Sequence, residues 1–225
     1  PDSLGVPKSL ASLSGVLPYN DEKKVEQYFK KNKNLACAIV EPVAANMGVV
    51  PPKPSFLKAL RYWTKKTGAL LIFDEVITGY RRHHGGAQHV YDIQPDITVL
   101  GKIIGGGLPV GCFGASEKIM SALSPTGKVY QAGTLSGNPL SMVAGLSVLS
   151  QIDPGLYAGL QERTDYFVHQ MKRLLAKKNI KASIQKSGAM FTVFLGVEKA
   201  DNYKEVCLAD KKAYAGFFHR LLQAG

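Results

Sequence analysis

Apolar and polar positions along the chain form two kinds of block that alternate. Short runs that are apolar at every position occur at Leu35–Val40, Ala69–Phe73, Ile97–Leu100 and Val110–Ala115. Such runs fit strands covered on both faces, as in a buried parallel sheet. Between them lie stretches with helical spacing. One starts at an Asn20 or Asp21 cap and runs to about Asn32, with Val25, Tyr28 and Phe29 on one side. Ser55–Thr67 places Phe56, Leu57, Leu60 and Trp63 or Thr64 on one face, and Gly68 stops it. A further helix starts near Ser116 or Glu117, a small-residue helix covers Pro139–Ile152, and a long amphipathic one covers Gly155–Lys178. In the long helix Leu156, Leu160, Phe167, Met171 and Leu174 are expected to form the buried stripe. Short strands at Ala182–Gln185 and Phe191–Leu195, then a helix from about Asn202, open a second subdomain. Residues 1–19 read as an extended lead-in and Asn46–Pro54 as a loop. The pattern predicts an α/β fold on a mostly parallel sheet flanked by helices. It divides at about residue 153, with 154–225 giving the connecting helix and part of a small α+β domain.

Composition narrows the class. The chain has 225 residues, 45% hydrophobic and 20% charged, which is an ordinary globular balance. No apolar run approaches the ~20 residues a membrane helix needs, so a soluble chain is expected and no membrane partner. Pro1–Gly5 lacks the basic start and apolar stretch of a signal peptide. Because the chain starts at Pro1 and stops after the apolar run Phe217–Leu222, it is expected to be a piece of a longer polypeptide. Cys37, Cys112 and Cys207 are odd in number and far apart, which fits neither a disulfide framework nor a CxxC metal site. The net charge of +11 raises the question of nucleic acid. The lysines fall in small clusters at helix ends and on solvated faces, without interleaved aromatics, so no nucleic-acid partner is expected.

Polar residues stand where the buried runs stop: Glu41, Asp74 and Lys102. In open α/β sheets ligands bind at the carboxyl ends of the strands. An amine and a carboxylate converging there suit pyridoxal phosphate, which needs a lysine for its aldehyde carbon and an acid to keep its ring nitrogen protonated. Desolvation and the cationic ring would lower the pKa of such a lysine. A structural ion pair at two strand ends explains the same two residues, and the pair alone does not separate the readings.

The residues around the pair do. Ala69–Arg81 (ALLIFDEVITGYR) and Pro95–Gly111 (PDITVLGKIIGGGLPVG) resemble the signature of the class III pyridoxal-phosphate-dependent aminotransferases. Within that family Glu41–Pro52, Gly85–Gln88 and Gln131–Pro139 are similar to the glutamate-1-semialdehyde aminomutases, as are Pro1–Pro7 and Pro18–Asp21. The likeness covers essentially the whole chain, is most specific over residues 41–140 and loosens after 155; Ala45 stands where the family usually has glycine.

The resemblance implies a fold type I large domain lacking its N-terminal part, followed by an incomplete small domain. It implies that Lys102 bonds the cofactor and shuttles protons, and that Asp74 pairs with the pyridinium nitrogen. Asn46 would bond the ring hydroxyl and Val76 would pack on the ring. Gly133 and Thr134 would bind the phosphate of a neighbouring subunit's cofactor, which implies a homodimer. Glu41 is a candidate substrate contact. The implied reaction turns glutamate-1-semialdehyde into 5-aminolevulinate for tetrapyrrole synthesis, with the cofactor starting as pyridoxamine phosphate. The location implied is the cytoplasm or a plastid stroma. The phosphate cup, a ring-stacking aromatic and the lid would lie outside this chain, so little turnover is expected from it alone.

Other features have plainer explanations. Gly105–Gly107 fits neither phosphate-loop pattern and serves to turn the chain after Lys102. His83, His84 and His89 lack acidic or cysteine partners and read as surface groups, so no metal is expected. Arg81 and Arg82 are candidates for a substrate carboxylate, with a solvated loop the alternative, and Cys112 is expected to be a small core residue. Two competing functions stay open: a class III ω-aminotransferase using an external keto acid, and a non-catalytic truncated product.

Overall fold

A computed structural model describes residues 4–225, so the expectation for Pro1–Ser3 lies outside the described residues. In chain order the elements are α1 (Lys8–Ala11), α2 (Glu22–Lys31), β1 (Cys37–Val40), α3 (Pro54–Thr67), β2 (Leu70–Asp74), α4 (Gly86–Tyr91) and β3 (Ile97–Gly101). A 3-10 turn (Lys102–Gly105), β4 (Gly111–Ala115), α5 (Glu117–Met120), α6 (Pro139–Leu149) and α7 (Pro154–Lys177) follow. The chain continues with β5 (Ala182–Ser187), β6 (Met190–Leu195), α8 (Tyr203–Cys207) and α9 (Lys211–Gln223).

The first four strands form one sheet in the order β1-β2-β3-β4. β1, β2 and β3 run parallel, and β4 returns antiparallel to β3. A parallel neighbour needs a crossover of a dozen or more residues, and residues 102–110 are too few to supply one. The core lies on one side of this sheet. Val25 and Phe29 of α2 and Phe56, Leu57, Leu60 and Trp63 of α3 pack on Leu71 and Phe73 of β2. The cap is Asp21, whose Oδ1 accepts from Lys24 N at 3.0 Å, and Pro54 starts α3 while Gly68, at φ 76, ends it.

The other side of the sheet is open, which corrects the expectation that every strand is buried on both faces. Ile39 is 66% exposed and Phe113, opposite Val99 in the ladder, is 40% exposed. Cys112 is exposed rather than a core residue. The stripe expected for α7 is also corrected: Leu156, Leu160, Phe167 and Leu174 are exposed, and its buried residues are Thr164 and Val168. No helix among the described residues is long and apolar enough to cross a membrane.

β5 and β6 form a separate antiparallel hairpin turning at Gly188, where φ is 61°. A second apolar cluster joins it to the first sheet's loops, with Ala44 and Val50 against Phe194, Val197 and Ala200. The loop after β1 is held against β6 by Val49 N donating to Thr192 Oγ1 at 2.9 Å. A Cβ on Gly48 would lie 2.6 Å from the Phe194 ring, so only glycine permits this approach.

Candidate functional site

Strand register decides which polar residues meet. Val40 pairs with Phe73 and Asp74 pairs with Val99, so Glu41 and Lys102, directly after β1 and β3, and Asp74, the last residue of β2, lie at the same, carboxyl edge of the sheet. The Lys102 backbone has φ 49°, in the left-handed region that a lysine adopts only when its surroundings impose it. The 3-10 turn that Lys102 opens is packed tightly against α6. A Cβ on Gly106 would collide with the Ala144 carbonyl of α6, and one on Gly145 with the Ile104 carbonyl. Helix and turn thus meet backbone to backbone.

Lys102 is exposed, and its amine makes no hydrogen bond or ion pair among the described residues. The desolvation expected for it is therefore not supplied by these residues. It borders a shallow cavity of about 500 Å³ together with Arg81, Ile103 and the stretch Gly107–Val110, and Asp74 is not part of that lining. Asp74 is half-buried; its Oδ1 accepts from Val76 N at 3.0 Å, and Oδ2 keeps no partner among the described residues. Val76 links the two strands, because a Cβ on Gly101 would lie 3.2 Å from Val76 Cγ1.

Glu41 and Asn46 are brought together, and they bond each other. Asn46 Nδ2 donates to Glu41 Oε1 at 3.1 Å, and Ala45 N donates to Glu41 Oε2 at 3.0 Å. Alanine at 45 leaves that backbone contact intact. The turn into the loop is anchored from the lead-in by Tyr19, whose hydroxyl donates to Pro42 O at 3.1 Å and lies 3.2 Å from Glu41 O. Burial pushes the Tyr19 phenol well above its ordinary range, so it stays a donor.

Gly133 and Thr134 are not brought to this edge by any hydrogen bond. They sit exposed in a turn closed by Ser136 N donating to Gly133 O at 2.9 Å. Arg81 donates from Nε to Ile77 O at 3.1 Å. His83 stacks on His89 with ring centroids 4.1 Å apart, and burial, then the facing imidazole of His89, holds its pKa below the ordinary value. No group of three or more His, Cys, Asp or Glu side chains is arranged for a metal among the described residues.

Sequence reasoning passed over Glu75, which is fully buried, and Thr78, which donates to it at 2.8 Å. The signal was available. Leu71 and Phe73 alternate along β2 and Glu75, one residue past its end, keeps the same spacing, so a charge continues the buried face.

Known proteins resemble the chain over nearly its whole length. The family model described as aminotransferase class-III matches residues 5–225. A protein of Aquifex aeolicus named glutamate-1-semialdehyde 2,1-aminomutase is 48% identical over 227 residues, covering 100% of this chain and 54% of that protein. An omega-transaminase from Sphaerobacter thermophilus has a similar structure, with TM-score 0.86 and 33% identity over 92% of this chain and 48% of that one. A transaminase solved with PLP bound gives TM-score 0.81 at 28% identity, over 85% of this chain and 46% of that one. The chain spans about half the length of the curated relatives it matches.

Proposed function

Since the chain belongs to the class III aminotransferase family, we propose that it forms the Schiff-base lysine's half of a pyridoxal-phosphate site in a glutamate-1-semialdehyde 2,1-aminomutase. The observation that carries the reading is the parallel register of β2 and β3, with Asp74 the last residue of one strand and Lys102 the first residue after the other, at one edge. Relatives named as that aminomutase and matching the chain from end to end support glutamate-1-semialdehyde as the substrate, and the reaction assigned is its rearrangement to 5-aminolevulinate for tetrapyrrole synthesis.

The residues present fit the cofactor. An amine without a partner, a carboxylate with one oxygen free, and a strand end at Gly101 narrow enough for Val76 to lie against it are what such a ring requires. When bound, the group supplies an aldehyde carbon and an electron-withdrawing ring. Asp74 Oδ2 holds the proton on the ring nitrogen. Lys102 Nζ would hold the cofactor through its aldehyde carbon, and once displaced from it by the substrate's amine would be the free base that takes up and returns a proton at the substrate. Val76 would pack on the ring and the Asn46 amide would reach the ring hydroxyl, leaving Glu41 Oε1, which Asn46 Nδ2 bonds at 3.1 Å, for the substrate.

Gly133 and Thr134, exposed as they are, are assigned to the phosphate of a neighbouring copy's cofactor, and the intact protein to a homodimer. Residues 1–153 are assigned to the large domain and 154–225 to the connecting helix and part of the small one. The intact protein is assigned to the cytoplasm, a reading the bacterial relatives support. Because the relatives are about twice as long, these residues alone bind the cofactor weakly and turn over little. The likeness to an omega-transaminase favours one second reading, amino transfer to an external keto acid; dependence of the intact enzyme on keto acid separates the two.

The test is a visible absorbance spectrum with added pyridoxal phosphate, followed by borohydride. The unmutated chain should fix the label covalently and Lys102→Ala should not. Equal labelling of both removes Lys102 from its role.

A further inference from the structure

Glu75 stands beside Asp74 in the chain, and the chemistry above makes no use of it. Its side chain is 0% exposed. A carboxylate so enclosed persists only if its oxygens are bonded, and here they are. Oε2 accepts from Thr78 Oγ1 at 2.8 Å and from Ala87 N at 2.6 Å. Oε1 accepts from Gln88 N at 2.9 Å and from Gln88 Nε2 at 3.2 Å. The same amide of Gln88 donates to Thr98 Oγ1 on β3 at 3.2 Å. Gly86, at φ 70°, makes room: a Cβ there would lie 2.5 Å from Oε2.

The main chain of Glu75 is fixed equally. Its N–H donates to Val99 O at 2.9 Å, and its carbonyl accepts from Gly79 N at 2.8 Å. The turn 75–79 is therefore closed twice, by main chain and by side chain, and clamped onto the first turn of α4. Within that turn lies Val76, whose N–H donates to Asp74 Oδ1 at 3.0 Å and whose methyls face Gly101.

We propose that Glu75 is a positioning residue of the cofactor site. Its carboxylate holds the 75–79 turn, the turn fixes the Val76 N–H, and that N–H orients the Asp74 carboxylate so that its second oxygen remains for the ring nitrogen. The inference rests on the pyridoxal-phosphate reading of Asp74 and Lys102 and deepens it. A clamp that served only the fold would give the same hydrogen bonds, so the test must read the ring and not stability alone.

The experiment uses the intact protein that contains these residues, with pyridoxal phosphate, measuring affinity, the pH midpoint of the bound cofactor's visible band, and thermal unfolding. Glu75→Gln puts an amide donor against the Ala87 or Gln88 N–H. It should weaken binding on the order of tenfold to a hundredfold, the scale of one hydrogen bond to a charged group lost from the site. It should also move the pH midpoint in the same direction as Asp74→Asn, although Asp74 is present. Thr78→Val should do the same to a smaller degree, and Thr78→Ser, which keeps the hydroxyl, should restore the unmutated midpoint. A midpoint unchanged in Glu75→Gln and Thr78→Val, with only the unfolding temperature lowered, overturns the proposal. Should Glu75→Gln fail to fold, the Thr78 pair decides by the same criterion. If the visible band of the unmutated chain survives Lys102→Ala, the site reading itself falls, and this proposal with it.

Discussion

Gly145→Ala tests whether α6 sets the position of the active lysine. In an ordinary helix this change stabilises, because alanine is about 1 kcal/mol better than glycine in a helix interior. At 145 the new methyl would collide with the Ile104 carbonyl oxygen. Ordinary carbon–oxygen contact lies near 3.3 Å, so helix and turn must separate by about 1 Å. Such overpacking costs about 1–3 kcal/mol. The net loss is therefore about 0–2 kcal/mol, a fall in unfolding temperature of a few degrees for a chain this long. The larger effect lands on chemistry. Ile104 is two residues from Lys102 in the same tight turn, and a displacement near 1 Å at a reacting group costs on the order of a hundredfold. Gly159→Ala in α7 is the control, since its methyl would meet Arg163 Nη2 at an ordinary 3.5 Å. It should raise stability by up to about 1 kcal/mol and leave cofactor capture unchanged. Thermal unfolding and borohydride-fixed pyridoxal phosphate are measured on both. If Gly145→Ala gains stability as Gly159→Ala does and captures cofactor like the unmutated chain, the backbone-to-backbone account of Lys102 is wrong.

Other outcomes follow from burial and charge. Leu57, 0% exposed between α3 and the sheet, should lose about 2–5 kcal/mol on Leu57→Ala, read as a lower urea midpoint at unchanged slope. His83 has a folded pKa below its ordinary 6.5, so the unfolded chain binds the extra proton first. Stability should therefore be full above about pH 6.5 and decline as pH falls below it, and His83→Gln should flatten that part of a denaturation series run against pH. Ile39→Thr, at a position 66% exposed, should change stability by no more than about 0.5 kcal/mol while reducing binding of a hydrophobic dye; an unchanged dye signal would place that dye elsewhere.

The parts of the fold that local pattern controls were legible in the sequence. The α3 stripe of Phe56, Leu57, Leu60, Trp63 and Thr64 is buried as its spacing predicts. All four strands of the main sheet have ends within two residues of the apolar runs that announced them. Coverage was not legible, because an apolar run states a preference for burial and not what arrives to satisfy it. Thus Ile39 and the apolar side of α7 remain exposed. α4 was hidden for a related reason. Gly85, Gly86 and His89 have weak helical preference, and the amides of its first turn are satisfied by Glu75, a partner from another element. The candidate residues Glu41, Asp74 and Lys102 were visible as polar punctuation after strands. Their support, Glu75 with Thr78 and Gln88, needed the sheet register to be seen.

The residues from Ala44 to Val50 have one end tied to the Glu41 carboxylate and the other threaded against the Thr192–Phe194 stretch of β6. The segment consequently has no slack of its own. Pulling the hairpin away must either drag the Asn46 amide with it or break the Val49–Thr192 bond. Amide hydrogens at 45–50 and at 190–194 should then exchange with deuterium in step, as a single opening unit.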